Sequence, residues 1–228
     1  MVHLKRSEMP AFWPLARKNK RFAPVPVPGP HPKMNSIPLV VLARDYFKLY
    51  PTFNEAKKAI KAKKFLVDGK EITEDRFPVG MMDVVTIKEK GENFLVVPSA
   101  EGFEFRKVEE KKAGSKYCQI IGKKVLKKGL QLNLHDGRNV IVPVKESKNY
   151  KTGDTIKINL KTGKIEKSYS YKEGAEVIIV RGVNRGKTGK IKEIINKDDL
   201  QGPKVRIDLE GEDKIFAKDI VFVVPRKE

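Results

Sequence analysis

Residues 177–191 read VIIVRGVNRGKTGKI, and the reading of this stretch decides what kind of protein the chain is. GVNRGKT ends in the Gly-Lys-Thr of a phosphate-binding loop. A P-loop needs four residues between its first glycine and that Gly-Lys-Thr, enough to wrap backbone amides around a triphosphate. Here only Val183, Asn184 and Arg185 separate Gly182 from Gly186. A P-loop also opens a helix, whereas Gly189 leads into KIKEII, which reads as a strand. The stretch therefore predicts two strands joined by a glycine-rich turn, with no nucleotide bound or hydrolysed.

Working outward, Val177 and Ile179 alternate before the turn, VRIDL (205–209) alternates after it, and IVFVV (220–224) closes the segment. Five short strands in residues 173–228 predict a small SH3-like β-barrel. A unit of that size buries little of its own surface, so docking on a neighbour is expected. Upstream, residues 99–172 predict a small β domain. Two of its strands flank Asp136-Gly137 and two more flank Thr162-Gly163. Lysine pairs at 111–112, 123–124 and 127–128 read as turns or strand ends that together line a backbone-binding surface.

Residues 35–98 predict a small α+β domain. Ser36 and Pro38 open one helix over IPLVVLARDYFKL; the capping box Thr52–Glu55 opens a second. On the second, Ala56, Ala59 and Ile60 face a core, and Lys57, Lys61 and Lys64 form a basic stripe. FLVDGKEI follows, with Asp68-Gly69 as a two-residue hairpin turn, and then the strand DVVTI (83–87).

Residues 1–34 predict an arm. Proline at 24, 26, 28, 30 and 32 fixes an extended path. Before it, Lys5, Arg6, Arg17, Lys18, Lys20 and Arg21 interleave with Phe12, Trp13 and Phe22. Such a segment should have no core of its own. It should order against phosphates and stacking faces, and its removal should leave thermal unfolding unchanged.

Across 228 residues, 48 Lys and Arg face 29 Asp and Glu, a formal charge of +19. That excess implies a polyanionic partner, nucleic acid before an acidic membrane surface. The single cysteine, Cys118, excludes an intrachain disulfide and fits a reducing compartment. No apolar run has the length of a membrane span, and MVHLKRSEMPAFW contains no signal-peptide core. His3, His31 and His135 are scattered, so neither a catalytic constellation nor a metal site is expected. The expectation is a soluble intracellular protein without cofactor, metal or small-molecule substrate.

The basic helix, VDGK and MDVVTI resemble the S-four-type RNA-binding domain over residues 37–90. The glycine-spaced phrase from Gly174 to Ile191 resembles the KOW motif. There the resemblance places Arg181, Asn184, Arg185, Lys187 and Lys190 against phosphate and sugar. The order of parts, with HLKRSEMPAFWPLARKNKRFAPVPVPGPHPK at the front, is similar to the ribosomal protein S-four-e family of archaea and eukaryotes. The ending PRKE, soon after the barrel, favours the archaeal form.

The resemblance implies a non-catalytic cytoplasmic protein of the small (30S) ribosomal subunit. It would bind ribosomal RNA beside neighbouring small-subunit proteins and support assembly and translation. The RNA-binding residues it and the charge pattern suggest are Lys5, Arg6, Trp13, Arg17, Lys18, Lys20, Arg21, Lys57, Lys61, Lys64 and the five turn residues. Two rivals are weighed: an RNA-modifying enzyme such as a pseudouridine synthase, and a KOW-type transcription-elongation factor. The two β modules show no nucleophile with a base, and the arm with the S-four-type domain argues against the factor.

Overall fold

The computed structural model describes residues 3–127, 129–195, 202–209 and 211–224. Lys128, in the third lysine pair, and the terminal PRKE lie outside them. The chain forms two compact units: Met1–Val97 with Glu101–Lys116, and Pro98–Ala100 with Tyr117–Glu228. Short helices and several antiparallel sheets make it α+β and multi-domain. Among the described residues no helix is long and apolar enough to cross a membrane.

The first unit begins with a two-stranded ribbon, β1 (Leu4–Lys5) against β2 (Phe22–Ala23). The segment has no separate core, yet it does not stand free as an arm. Leu4, Met9, Trp13, Leu15 and Ala23 are buried in one cluster with Ile37, Leu42, Ile60 and Phe65. Their spacing follows neither a helix nor a strand period, so their common burial has no signature in the sequence.

The next elements are β3 (Ser36–Pro38) and a helix that starts at α1 (Leu39–Val41). Ser36 is not a helix cap. It lies in β3, opposite Gly80, and its hydroxyl donates to the Pro32 carbonyl at 3.1 Å. The helix widens at once into a π turn over Leu42–Tyr46, closed by Phe47 N–H on the Leu42 carbonyl at 2.9 Å. In α2 (Phe53–Lys61) the Thr52 hydroxyl accepts from Glu55 N–H, as the sequence predicts, and Ala56, Ala59 and Ile60 are buried.

Strands β4 (Phe65–Val67) and β5 (Lys70–Glu71) form the expected hairpin. Asp68 at φ 52° and Gly69 at φ 74° supply the two positive angles of a twist-matched turn. Next come β6 (Pro78–Gly80), paired with β3, then β7 (Val84–Ile87), β8 (Glu92–Ser99) and β9 (Gly102–Val108). The sheet order is β5-β4-β7-β8-β9. Phe12 packs edge-on against Phe103 of β9, at 5.1 Å between centroids, so the N-terminal segment is held by this sheet as well as by the helices.

After the single turn α3 (Glu110–Ala113), the long strand β10 (Ser115–Leu126) starts in the first unit and runs into the second. At its start Lys116 is completely buried. Its Nζ donates to Asp68 Oδ2 at 2.8 Å and to Asp83 Oδ1 at 2.5 Å. His31 Nε2 lies 2.9 Å from the same Asp83 oxygen, and Gly80 N–H donates to the other. Burial opposes ionisation of Asp83. Lys116, His31 and the Gly80 amide outweigh it and hold the carboxyl well below its usual range.

In the second unit β10 joins β11 (Gly129–Leu134), β12 (Asn139–Val142), β13 (Thr155–Asn159) and β14 (Ile165–Tyr169) in the order β12-β11-β10-β13-β14. Both expected hairpins are present. The lysine pair 123–124 is not at a strand end: it lies within β10, past a bulge between Ile120 and Gly122. The last five strands are β15 (Glu176–Ile179), β16 (Thr188–Ile195), β17 (Lys204–Leu209), β18 (Glu212–Ala217) and β19 (Val221–Val223). They pair as β18-β17-β16-β15-β19 around Val177, Ile179, Ile191, Val205, Ile207, Leu209 and Val221. The expected docking is present. Gln119 Nε2 donates to the Val221 carbonyl at 2.9 Å, and the His135 ring meets Phe222 edge-on at 5.4 Å.

Candidate nucleic-acid interface

The N-terminal segment divides its charged and aromatic residues between core and surface. Arg6 is buried, with Nη1 donating to the Ala16 carbonyl at 2.5 Å and Nε to the Phe22 carbonyl at 3.3 Å. Trp13 is 3% exposed, and its indole N–H donates to the Ser36 carbonyl at 2.9 Å. Both side chains are committed to the chain's own fold. Arg6 staples the chain to itself because a planar guanidinium reaches two carbonyls at once. Trp13 fills the core and still satisfies its one donor. Lys5, Arg17, Lys18, Lys20 and Arg21 are exposed, and none has a carboxylate partner among the described residues.

The stripe on α2 is shorter and less free than its spacing predicts. Lys57 and Lys61 are helical, but the helix ends at Lys61 and Lys63 takes φ 59°, so Lys64 leaves the helix. Lys57 Nζ lies 3.7 Å from Asp75, and Lys64 Nζ lies 2.5 Å from Glu89. Bonds from Lys64 and Tyr50 hold the Glu89 carboxyl below its usual range. Lys61 is exposed and faces no acid among the described residues.

The turn between β15 and β16 is held by its own backbone. Gly186 N–H donates to the Ile179 carbonyl at 2.8 Å, and Ile179 N–H donates in return to the Lys187 carbonyl at 3.0 Å. Arg181 and Lys187 are exposed and Val183 at the tip is 98% exposed, while Asn184 and Arg185 are half-buried. Burial, with Arg181 adding a like charge, pushes the Arg185 guanidinium down from its ordinary value. Gly186 has φ 83°, and a methyl group there would sit 2.8 Å from Ser99 Cα and 2.9 Å from the Pro98 carbonyl oxygen. The close approach that demands glycine is thus to the chain's own segment 98–99. Lys190 is exposed, in register between Glu176 and Asp208 on the flanking strands.

One juxtaposition has no signature in the sequence spacing. Cys118, His135 and Asp136 bring ligand atoms within 4.8 Å of one another. The donors are already engaged. Asp136 Oδ2 lies 3.2 Å from Arg138 Nε and its Oδ1 accepts Arg138 N–H, while His135 Nδ1 accepts Gln119 N–H at 3.3 Å. A guanidinium on the carboxylate competes with any cation, so these residues close the β11–β12 hairpin.

Comparison with known proteins agrees with this architecture. Residues 90–165 match the model described as Ribosomal family S4e, and residues 2–34 match the RS4NT domain. The proteins named small ribosomal subunit protein eS4 from Methanococcus maripaludis (strain C5) and Methanocaldococcus jannaschii are each 38% identical, each alignment covering 99% of this chain and 95% of the relative. The counterpart from Methanothermobacter thermautotrophicus is 34% identical over 99% of this chain and 93% of its own. The crystal structure of 30S ribosomal protein S4e from Thermoplasma acidophilum superposes with a TM-score of 0.71 at 28% identity, covering 85% of this chain and 96% of that one. The matched segments take in the N-terminal ribbon and the run from β8 through β13, the relatives align along nearly the whole chain, and on these grounds the chain belongs to the S4e family of ribosomal proteins.

Proposed function

We propose that the exposed cations of the N-terminal segment, Lys61, and the β15–β16 turn bind the backbone of small-subunit ribosomal RNA. The chain is a structural, non-enzymatic constituent of the small ribosomal subunit, and the cytoplasmic ribosome is where it works. The observation that carries the RNA reading is the row Lys5, Arg17, Lys18, Lys20 and Arg21. These cations stand outside a packed core with no acid to neutralise them among the described residues. Uncompensated cations on a rigid support suit phosphate, and counter-ion release then drives binding.

Arg181, Asn184, Arg185, Lys187 and Lys190 remain candidates within a KOW-type module at 173–228. Lys57, Lys61 and Lys64 remain so within an S-four-type module at 35–98, joined to it by the basic β module at 99–172. Arg6 and Trp13 are withdrawn from the RNA-binding set. Neighbouring small-subunit proteins are the expected protein partners, and neither a membrane nor a small-molecule substrate enters the reading.

The test is sedimentation of a tagged chain from cells, with crosslinking and mapping of the attached RNA. Recovery in the small subunit with crosslinks to its RNA is expected. Recovery with RNA polymerase, or free of both, would overturn the proposal.

A further inference from the structure

Phe22 is 44% exposed, whereas Leu4, Met9, Trp13 and Leu15 of the same segment are buried. It lies in β2 directly across from Lys5. The His3 ring stands 5.2 Å from it at an angle of 39°, and the Arg21 guanidinium carbon is 5.2 Å from its centroid. The core does not explain Phe22, because Leu4, Met9, Trp13, Leu15 and Ala23 already anchor the segment. Its neighbours are instead a second ring and a planar cation, both of which stack on nucleobases as readily as on each other. The segment's cations Lys5, Arg17, Lys18 and Lys20 are exposed, and no carboxylate answers them among the described residues.

We propose that His3 and Phe22 form a stacking platform for one unpaired RNA base, with the adjacent phosphates held by Lys5 and Arg21. This rests on the RNA-binding reading above and adds the place and chemical class of one contact. On binding, the base takes the open part of the Phe22 ring, and Arg21 moves from ring to phosphate. An exposed cation–π contact is weaker than base–aromatic stacking combined with a guanidinium–phosphate bond, so the exchange is favourable. A protein partner would need acidic residues opposite these cations; RNA supplies the negative charge and the flat face together. Of the three aromatic residues interleaved with the cations, Trp13 is buried and Phe12 packs on Phe103, which leaves Phe22.

The test uses the full chain. It is titrated with a short single-stranded oligoadenylate containing 2-aminopurine, and separately with inorganic polyphosphate. Phe22→Leu should weaken oligoadenylate binding about tenfold, abolish the 2-aminopurine quench and leave polyphosphate binding unchanged. Phe22→Trp should restore both affinity and quench. Equal weakening toward both polyanions, or no weakening, overturns the platform. A further measurement needs no variant: a 4-thiouridine-containing RNA crosslinked to the wild-type chain should attach at His3 or Phe22, and adducts confined to other peptides would also overturn it. If the wild-type chain binds no RNA at all, the underlying RNA-binding reading falls. Normal binding that is indifferent to Phe22 removes only the platform.

Discussion

The N-terminal segment and the β15–β16 turn carry similar chemistry: each is basic, poor in regular structure and punctuated by proline or glycine. They are supported in opposite ways. The N-terminal segment contributes five buried side chains and a doubly bonded Arg6 to the core, and displays its remaining cations from that anchorage. The turn contributes almost nothing apolar to a core; Val183 is 98% exposed, and the loop is held by its backbone hydrogen bonds and by the fit of Gly186 against Pro98 and Ser99. Similar surface charge therefore says little about how a segment is fixed. The buried apolar residues between the charges decide it.

The largest effect should come from the segment's anchor. Trp13→Ala removes a buried indole and leaves the Ser36 carbonyl without its donor, so the first unit should lose about 3–5 kcal/mol. Deleting residues 1–34 should be worse still. Denaturant unfolding checks both, and an unchanged midpoint for the deletion would restore the picture of a free arm.

The segment's second anchor is ionic, through His31 and Asp83. The folded-state pKa of Asp83 is depressed. Its stabilisation is therefore full above the unfolded carboxyl value of about 4, and is lost as pH falls below that toward the folded value. Lys116→Met leaves Asp68 and Asp83 buried without their cation and should cost about 3–5 kcal/mol at neutral pH. It should also flatten the acid limb of the stability profile. If the limb keeps its slope, other carboxylates dominate acid unfolding.

On the other side of the comparison, Gly186→Val drives a branched side chain into Ser99 at a positive φ. It should destabilise the second unit by about 1–3 kcal/mol, a local effect smaller than that of Trp13→Ala. Equal losses for the two would mean that the turn is as deeply built in as the segment.

The smallest stability change belongs to the surface cations. Arg17, Lys18 and Lys20 replaced together by glutamine should shift stability by no more than about 0.5 kcal/mol. RNA affinity should nevertheless fall, and the log–log salt slope should flatten by roughly 0.7–0.9 for each phosphate no longer neutralised. Lys57, Lys61 and Lys64 replaced likewise should flatten it less, since two of them already face Asp75 and Glu89. RNA titration at several salt concentrations ranks the two triples, and the reverse order would return the main RNA-binding role to α2.

What the sequence discloses follows from local chemistry. Asp68-Gly69, Asp136-Gly137 and Thr162-Gly163 mark hairpins because positive φ is confined to few residue types, and Thr52 marks a helix start because it fills an orphan donor's need. The alternation of Val205, Ile207 and Leu209 discloses a barrel wall. Longer-range choices stay hidden. The β8–β9 hairpin lacks a strong turn dipeptide. A bulge and lysines within the strand interrupt the period of β10. Leu4, Met9, Trp13 and Leu15 share no period at all, so their common burial is a tertiary fact. Within the candidate interface the positions of the cations are legible. Which of them, and which aromatic ring, face outward is not, because Arg6 and Arg21, or Trp13 and Phe22, differ only in what the fold places beside them.

The buried Lys116 has a consequence for synthesis on the ribosome. Asp68 and Asp83 leave the translating machinery well before their counter-ion, because Lys116 is the final residue of the first unit and lies at the start of the strand that continues into the second. Until it emerges, closing the first unit would bury two carboxylates without the ammonium that joins them. The nascent first unit should therefore stay open, and sensitive to protease, through residue 115. It should become resistant once a few more residues have emerged, which ties its completion to the arrival of the next strand.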